Sequence, residues 1–286
     1  MDTKGRALVT GASRGIGRAV AIELANRGFD TVAAMRDPSQ GVDLPDAVTG
    51  PGAGTLTVRH LDVTDPSSYD VPPDLRVLVN NAGIDSPYLP VEEADLGAWR
   101  DLFETNVLGV VGLTKAAIGP LRANAPSVVC SVTSSSIFAS VPFYSAYRAT
   151  KAAVSSFNDS LRIEVAPFGV RVVEILPGPI DTDMFRLSAG EPDAVAFTDY
   201  AALARVTDRQ RKEHADPQVS DPAVAAGLIV DAICDDRGPM RYGCDPLSIG
   251  MLGLWRKSDD ETMFTLTGQS LLEELGRAEE RTTENS

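Results

Sequence analysis

The chain has 286 residues, of which 43% are hydrophobic and 23% charged, the balance of an ordinary globular protein. Its formal net charge of −14 argues against nucleic acid or an anionic membrane surface as a main partner. The sequence shows neither an apolar leader nor an apolar run long enough to span a membrane, so we expect a cytoplasmic protein. The three cysteines are dispersed and the two histidines stand alone, so we predict no metal site.

Short β-branched runs alternate with longer helical patterns through the first two thirds of the chain. Strands are predicted over 6–10, 31–35, 55–61, 75–79, 127–132 and 170–176, and helices over 16–27, 96–121 and 144–168. The strand runs are almost entirely apolar, as strands buried on both faces are. The pattern predicts a three-layer α/β fold whose doubly wound, mainly parallel sheet carries helices on both faces.

The pattern changes after Asp181. Residues 184–221 are Ala-rich and weakly periodic, which predicts a helical insertion; a helix over 222–234 and a last strand within 240–245 follow. We expect one domain over 1–286, with a C-terminal extension from 246 to 286. Its apolar residues could line the lip of a pocket or simply pack a terminal helix: Leu247, Met251, Leu252, Leu254 and Trp255.

A glycine-rich stretch, Gly11-Ala-Ser-Arg-Gly15-Ile-Gly17, separates the first strand from the first helix. Glycines let a backbone turn tightly beside a pyrophosphate, and the helix N-terminus offers free N–H groups. We therefore predict a dinucleotide cofactor, contacted from this loop by Gly11, Ser13, Arg14, Gly15, Ile16 and Gly17.

The end of the second strand discriminates between the two nicotinamide cofactors. NAD sites usually carry an acidic residue there for the ribose 2′-hydroxyl, but this chain has Met35 followed by Arg36. Arg36 and Arg14 suit a 2′-phosphate, so we favour NADP(H). Asp37 keeps NAD(H) open, because a shift of two positions would restore an acid.

Seven motifs in order resemble those of the short-chain dehydrogenase/reductase family, and the pattern is closest to the hydroxysteroid and retinol dehydrogenase branch. They are TGASRGIG at 10–17, LDV at 61–63, NNAG at 80–83, ETNVLG around Asn106, the serines 134–136, Tyr147-x-x-x-Lys151 and PGPIDT at 177–182. The resemblance implies a Rossmann fold. It also implies further cofactor contacts from Asp62, Val63, Asn80, Ala82, Gly83, Tyr147, Lys151, Pro177, Gly178, Ile180 and Thr182.

The resemblance implies four catalytic residues. Tyr147 would be the acid/base, and Lys151 would lower its pKa and bind the nicotinamide ribose. The active serine of the family precedes the tyrosine by thirteen residues, which selects Ser134 to polarise the carbonyl. Asn106 would hold a water in the proton path.

A second tyrosine–cation pair, Tyr144 with Arg148, has the same spacing as Tyr147 with Lys151. At 100° per residue, Tyr147 and Lys151 lie beside a predicted buried stripe of Ala146, Ala153, Phe157, Leu161 and Phe168. Tyr144 and Arg148 fall on the opposite, solvated side. Helix phase thus favours the Tyr147 pair as the chemical one.

The resemblance therefore implies an enzyme that acts on CH–OH groups, interconverting an alcohol and a ketone or aldehyde with NADP(H). The long insertion, the C-terminal extension and the MRDP after the second strand resemble the hydroxysteroid and retinol dehydrogenase branch, which implies a fairly large apolar substrate such as a steroid, retinoid or polyketide-like carbonyl. A 3-oxoacyl-thioester reductase is the enzymatic alternative, and a non-catalytic NADP-sensing regulator is the alternative of another class. Family members pair through two long helices, here 96–121 and 144–168, so we expect a homodimer or homotetramer.

Overall fold

The computed structural model describes residues 1–188 and 190–284; Ala189 of the predicted insertion, and Asn285 and Ser286 of the predicted extension, lie outside them. The strands within these residues are Arg6–Thr10 (β1), Asp30–Met35 (β2), Leu56–His60 (β3), Leu75–Asn80 (β4), Ser127–Val132 (β5), Val170–Leu176 (β6) and Arg241–Gly243 (β7). They form one sheet in the order β3-β2-β1-β4-β5-β6-β7, and all neighbours are parallel. The predicted fold is confirmed.

Helices cover both faces of this sheet. They are Gly15–Asn26 (α1), Leu96–Phe103 (α2), Gly109–Ala123 (α3), Ser145–Val165 (α4), Asp183–Ser188 (α5), Ala201–His214 (α6), Pro222–Cys234 (α7), Pro246–Trp255 (α8), Asp260–Phe264 (α9) and Ser270–Glu284 (α10). Successive strand residues face opposite sides, so Val9 packs in the cluster with α1 and α7 whereas Leu8 packs with α3 and α4. Each fully buried leucine of this kind stabilises the fold by about 2 kcal/mol.

The order of the strands reverses beside β1. The chain runs outward from β1 through β2 to β3 and then returns to place β4 on the other side of β1. In parallel sheets such a reversal opens a crevice at the carboxyl ends of the two strands, and ligands bind there. The glycine loop follows β1 and the NNAG stretch follows β4, so the topology brings both motifs to this crevice.

One helical prediction needs correction, and the structure decides between the two alternatives for the extension. The long helix predicted over 96–121 is divided into α2 and α3 by a single wide π turn, Glu104–Leu108, which contains the buried Asn106. The extension packs as a terminal helix rather than lining a pocket lip: Leu252 lies in a small core cluster with Phe138, Leu176 and Met263, and Trp255 stacks on Phe138.

The described residues hold no helix with the length and apolarity required to cross a bilayer.

Candidate active site

A cavity of about 680 Å³ lies along the carboxyl ends of the strands. It is lined by most of the residues that the sequence selected: Gly11, Ser13, Arg14, Gly15, Ile16, Gly17, Arg36, Asp62, Val63, Ala82, Gly83, Ser134, Tyr147, Lys151, Pro177, Gly178, Ile180 and Thr182. Eighteen positions from seven separate stretches of the chain thus meet at one site, which the fold alone could bring together.

The glycine loop is shaped to leave its backbone open to the cavity. Gly11 and Gly15 have φ of +63° and +55°, a conformation that residues with a side chain rarely adopt. Asn81 fixes the loop from β4, because its side-chain amide donates to the carbonyl oxygens of Thr10 and Gly11 at 2.9 and 3.2 Å. The loop thus offers a fixed, side-chain-free surface at the N-terminus of α1, which fits a pyrophosphate.

Two arginines and one aspartate border the far end of the cavity. Arg36 and Arg14 are both exposed, and Arg14 is 3.8 Å from the Asp183 carboxylate. Asp37 also borders this end, but its carboxylate accepts hydrogen bonds from the backbone and hydroxyl of Ser39 and from Gln40. These bonds hold the pKa of Asp37 below its ordinary value and use its acceptor capacity locally.

The loop after β6 is held from three sides. The backbone N–H of Gly178 donates to the buried Asp245 carboxylate at 2.6 Å, and Ser135 donates to the Pro177 carbonyl at 2.9 Å. Ile180 forms an isolated parallel bridge with Ser220. Asp245 also caps α8, so the start of the C-terminal extension positions a loop that lines the cavity.

Ser134, Tyr147 and Lys151 meet beside this loop. Ser134 lies two residues after the end of β5, and Tyr147 and Lys151 stand one turn apart on α4 with exposures of 7% and 6%. The Lys151 Nζ donates to the Val132 carbonyl at 3.1 Å and lies 5.4 Å from the centre of the Tyr147 ring. The spacing that selected these three residues thus corresponds to one compact group of side chains.

Burial dominates the electrostatics of this group. It raises the pKa of Tyr147 far above the ordinary value, Asp85 and Tyr88 act in the same direction, and hydrogen bonds with Tyr144 and Ser134 oppose it. Burial also lowers the pKa of Lys151 to about 8, against an opposing effect of Asp85. In the protein by itself, desolvation of the phenolate therefore decides the direction of the shift, and a lowering of the Tyr147 pKa by Lys151 stays a prediction.

Two predicted residues lie outside the cavity lining. Asn80 is buried, and its amide donates to the Thr114 hydroxyl on α3 at 2.9 Å; the neighbouring Asn81 borders the cavity instead. Asn106 is also buried: its oxygen accepts from the Ile84 N–H, and its amide donates to the Ile84 carbonyl, both at 2.9 Å. Asn80 thus ties strand to helix, and Asn106 fixes the backbone of the segment that follows NNAG.

The second tyrosine–cation pair is not on a solvated face. Tyr144 lines the cavity and stacks on Tyr147, with ring centres 4.7 Å apart and planes at 15°. Arg148 donates to the carbonyl of Ser136 at 2.8 Å and so holds the turn that follows Ser134. The prediction from helix phase that Tyr144 and Arg148 face solvent is wrong, because it assumed one buried stripe along α4. The start of α4 is covered on more than one side.

Asp85 is the main cavity residue that sequence reasoning missed. It follows the NNAG stretch by two positions, is partly buried and borders the cavity near Tyr144 and Tyr147. The available signal was its position five residues after the end of β4, at the carboxyl edge of the sheet where the crevice opens.

The arrangement combines a nucleotide-sized cradle with a buried hydroxyl, phenol and ammonium group. Such a set can hydrogen-bond a carbonyl oxygen and deliver a proton to it. Among the described residues, no cluster of three or more His, Cys, Asp or Glu side chains is placed to hold a metal ion.

Comparisons with known proteins agree with this geometry. The family model described as "short chain dehydrogenase" matches residues 5–192. The chain is 35% identical over 237 residues to cis-4-hydroxycyclohexanecarboxylate dehydrogenase of Sinomonas cyclohexanicum, covering 79% of this chain and 92% of that one. It is 35% identical over 195 residues to the 3-oxoacyl-[acyl-carrier-protein] reductase FabG of Escherichia coli, covering 65% of this chain and 78% of that one. A short-chain dehydrogenase structure from Streptomyces avermitilis superposes with a TM-score of 0.72 at 28% identity, covering 98% of both chains.

Proposed function

Because this chain belongs to the short-chain dehydrogenase/reductase family, we propose that it is an NADP(H)-dependent oxidoreductase that interconverts a carbonyl compound and an alcohol. The observation that carries the proposal is the meeting of Ser134, Tyr147 and Lys151 beside a cradle that fits a dinucleotide. The cofactor, when bound, supplies or accepts the hydride. The side chains of this protein bind the partners, orient them and move the proton.

Tyr147 is the proposed acid/base. Its raised pKa keeps the phenol protonated at neutral pH, which is the form that donates a proton to a carbonyl oxygen during reduction. Ser134 donates a second hydrogen bond to the same oxygen. Lys151, with a pKa of about 8, is mostly cationic at neutral pH and stabilises negative charge that develops there. Asn106 fixes the cavity wall at Ile84, and its role in holding a water stays a prediction.

The preference for NADP(H) rests on the far end of the cavity. Arg36 and Arg14 supply two guanidinium groups that suit a 2′-phosphate. Asp37, the acid that would favour NAD(H), caps a short helical turn with the same carboxylate that a ribose would need. Asp62, Val63, Ala82 and Gly83 are the proposed contacts of the adenosine half.

The proposed substrate is large and mostly apolar. Met184 and Phe185 of α5 line the same cavity as Tyr144 and Tyr147, so apolar and aromatic side chains contribute to its wall. A 3-oxoacyl thioester is the second candidate, favoured by the identity to the E. coli reductase. A panel of steroid, retinoid, aromatic and 3-oxoacyl-thioester carbonyls, each tested with NADPH and NADH, separates the two.

Tyr147→Phe is the direct test of the site. It removes the proton donor and keeps the ring, so we expect kcat for NADPH-dependent reduction to fall by about 10²- to 10⁴-fold. NADPH binding, measured by fluorescence titration, should be retained. The matched control is Tyr144→Phe, which removes the hydroxyl of the ring stacked on Tyr147 and should cost no more than about tenfold.

Three outcomes of this test differ in meaning. Unchanged turnover in Tyr147→Phe would refute the proposed site. Equal losses in both variants would point to the shape of the aromatic wall rather than to proton transfer. A wild-type protein that binds NADPH yet reduces no member of the panel would favour a non-catalytic NADP-sensing regulator.

We further propose a homodimer or homotetramer paired through α2–α3 and α4. Large apolar side chains are exposed on and beside these helices: Leu108 of the π turn is 54%, Ile163 of α4 74% and Phe168, just after α4, 44% exposed. Sedimentation velocity that gave only a monomer at micromolar concentration would count against it.

A further inference from the structure

Asp85 is fixed in place beside the proposed reaction centre. The residue before it, Ile84, is bonded at both backbone polar atoms to the side chain of Asn106. The Asp85 Oδ1 accepts from the backbone N–H of Ser86 at 2.8 Å. Two residues on, the backbone of Tyr88 is tied to the insertion through the Asp193 carboxylate and the Ala194 N–H, at 3.0 and 2.9 Å. The carboxylate therefore sits on a rigid part of the cavity wall.

The other carboxylate oxygen of Asp85 is poorly satisfied. Its side-chain contacts are the hydroxyls of Tyr88 and Tyr144, at 3.4 and 3.5 Å, the outer limit of hydrogen bonding. An ionised carboxylate has about four acceptor sites, and a partly buried one is costly when they are unused. Since Asp85 borders the cavity, a donor arriving there would complete its hydrogen bonding.

The position of Asp85 relates this carboxylate to the reacting group. Tyr144 touches it with its hydroxyl and stacks its ring on Tyr147. Tyr88 meets Tyr144 edge to face, with ring centres 4.6 Å apart. The Asp85 carboxylate is thus connected to Tyr147 through a single aromatic ring, within the same cavity.

We infer that Asp85 determines specificity by accepting a hydrogen bond from a hydroxyl group that the substrate carries near its reacting carbonyl. The inference rests on the proposed function and names its substrate class: hydroxyketones and hydroxyaldehydes with an otherwise apolar body. A neutral hydroxyl fits better than an ammonium group, because the Lys151 cation already acts on Asp85 within the same cavity. A substrate carboxylate at this place would be repelled.

A matched series of aryl ketones tests the inference. Propiophenone is compared with its α-hydroxy, β-hydroxy and β-amino derivatives, each reduced with NADPH by the wild type and by Asp85→Leu. Comparing ratios of kcat/KM between the two proteins cancels the intrinsic reactivity of each ketone. We expect the wild type to prefer one of the hydroxyketones over propiophenone, and Asp85→Leu to lose about 10- to 100-fold of that preference.

Two further variants guard the interpretation. Asp85→Asn keeps an acceptor oxygen without the charge and should retain part of the preference. Asp101→Leu makes the same substitution at an exposed carboxylate of α2, outside the cavity lining, and should leave the preference unchanged. NADPH titration and thermal unfolding establish that each variant is folded and binds the cofactor.

The outcomes separate the inference from the function on which it rests. Reduction of all the ketones with the same preference in wild type and Asp85→Leu would overturn the inference and leave the oxidoreductase standing. A preference for the β-amino ketone that Asp85→Leu abolishes would overturn the assignment of a hydroxyl. Failure of the wild type to reduce any ketone, including the larger panel above, would overturn both.

Discussion

At the scale of single residues, Asp85 also makes a prediction about stability. Burial raises the pKa of its carboxyl group to about 6, against hydrogen bonds from Ser86, Tyr88 and Tyr144 and the charge of Lys151, all of which lower it. Between about pH 4 and pH 6 the folded protein therefore binds more protons at Asp85 than the unfolded chain does. This contribution to the free energy of unfolding is favourable below pH 4 and is lost as the pH rises through 6.

We accordingly expect Asp85→Asn to be more stable than the wild type at pH 8, with a free energy of unfolding higher by roughly 1–3 kcal/mol. The variant should therefore unfold at a higher urea concentration. The difference should vanish below about pH 4, where both side chains are neutral. Urea unfolding at the two pH values measures it. If the two proteins differed in the free energy of unfolding by the same amount at both pH values, the amide would stabilise the variant through packing, and the charge of Asp85 would not destabilise the wild type.

The same residue marks a limit of sequence reasoning at this scale. Ser134, Tyr147 and Lys151 could be selected because they match family motifs that have a fixed spacing along the sequence. Asp85 belongs to no motif of that kind. It stands out only because its carboxylate contacts Tyr144, 59 positions away, and because Asp193 of the insertion holds the backbone of the nearby Tyr88. Arg148 was likewise misread, because its acceptor, the Ser136 carbonyl, lies in a turn that helix phase does not describe.

At the scale of elements, the buried Glu174 ties β6 to its neighbours. Its side chain is fully buried and accepts from Thr133 at 2.8 Å, Ser155 at 3.1 Å and Arg241 at 2.9 Å. Burial raises the pKa of Glu174 even though these partners lower it. Since Thr133 lines the cavity directly before Ser134, this network fixes the end of β5 that carries the proposed serine.

Arg241→Met should therefore destabilise the protein strongly. It leaves the carboxylate of Glu174 buried without its cation, which typically costs about 3–5 kcal/mol in the free energy of unfolding. Asp159→Asn is the matched control: it removes the exposed partner of Arg241 and should cost no more than about 1 kcal/mol. Urea denaturation at neutral pH compares the two. Similar small losses would show that Arg241 contributes only packing.

The strands themselves were predictable, because β-branched apolar runs bounded by turns admit few other structures. The π turn that divides α2 from α3 was not, since it depends on Asn106 bonding both polar atoms of Ile84 across the cavity wall. Glu174 and Arg171 are the two charged residues of the strand VRVVEIL, and of these Glu174 is the fully buried one. Its partners come from β5, α4 and β7, which no local pattern connects.

At the scale of the whole molecule, we propose that the chain is one domain whose insertion and extension are built onto the sheet together. The insertion helix α6 contacts α10 through Arg209 and Gln210, both bonded to Glu274. Ser140, in the segment between β5 and α4, donates its backbone N–H to Thr267 at 3.0 Å. The sequence indicated both additions by their departure from the strand–helix alternation, but their mutual contact depends on side chains more than 60 positions apart.

Arg36 and Asp85 line the same cavity but follow β2 and β4, which β1 separates in the sheet. Since we propose a cofactor role for Arg36 and a substrate role for Asp85, we predict that their substitutions have independent effects. Arg36→Ser removes one guanidinium group that suits a 2′-phosphate, so we expect NADPH affinity to fall by about 10- to 100-fold while NADH affinity stays constant. Arg59→Ser removes an exposed arginine of β3 that pairs with Asp70 outside the cavity lining, and should change neither. Fluorescence titration with both cofactors measures the three proteins.

Combining Arg36→Ser with Asp85→Leu then tests whether the two ends act separately. Residues without shared partners have additive effects, so the double variant should show the NADPH loss of one single variant and the lost hydroxyketone preference of the other. Equal losses of NADPH and NADH in Arg36→Ser would contradict the proposed 2′-phosphate contact, because only NADPH carries that group. A double variant whose cofactor affinity depends on Asp85 would instead mean that the aromatic wall and the nucleotide cradle move together, and Asn106, which holds the backbone between them, would be the residue to examine next.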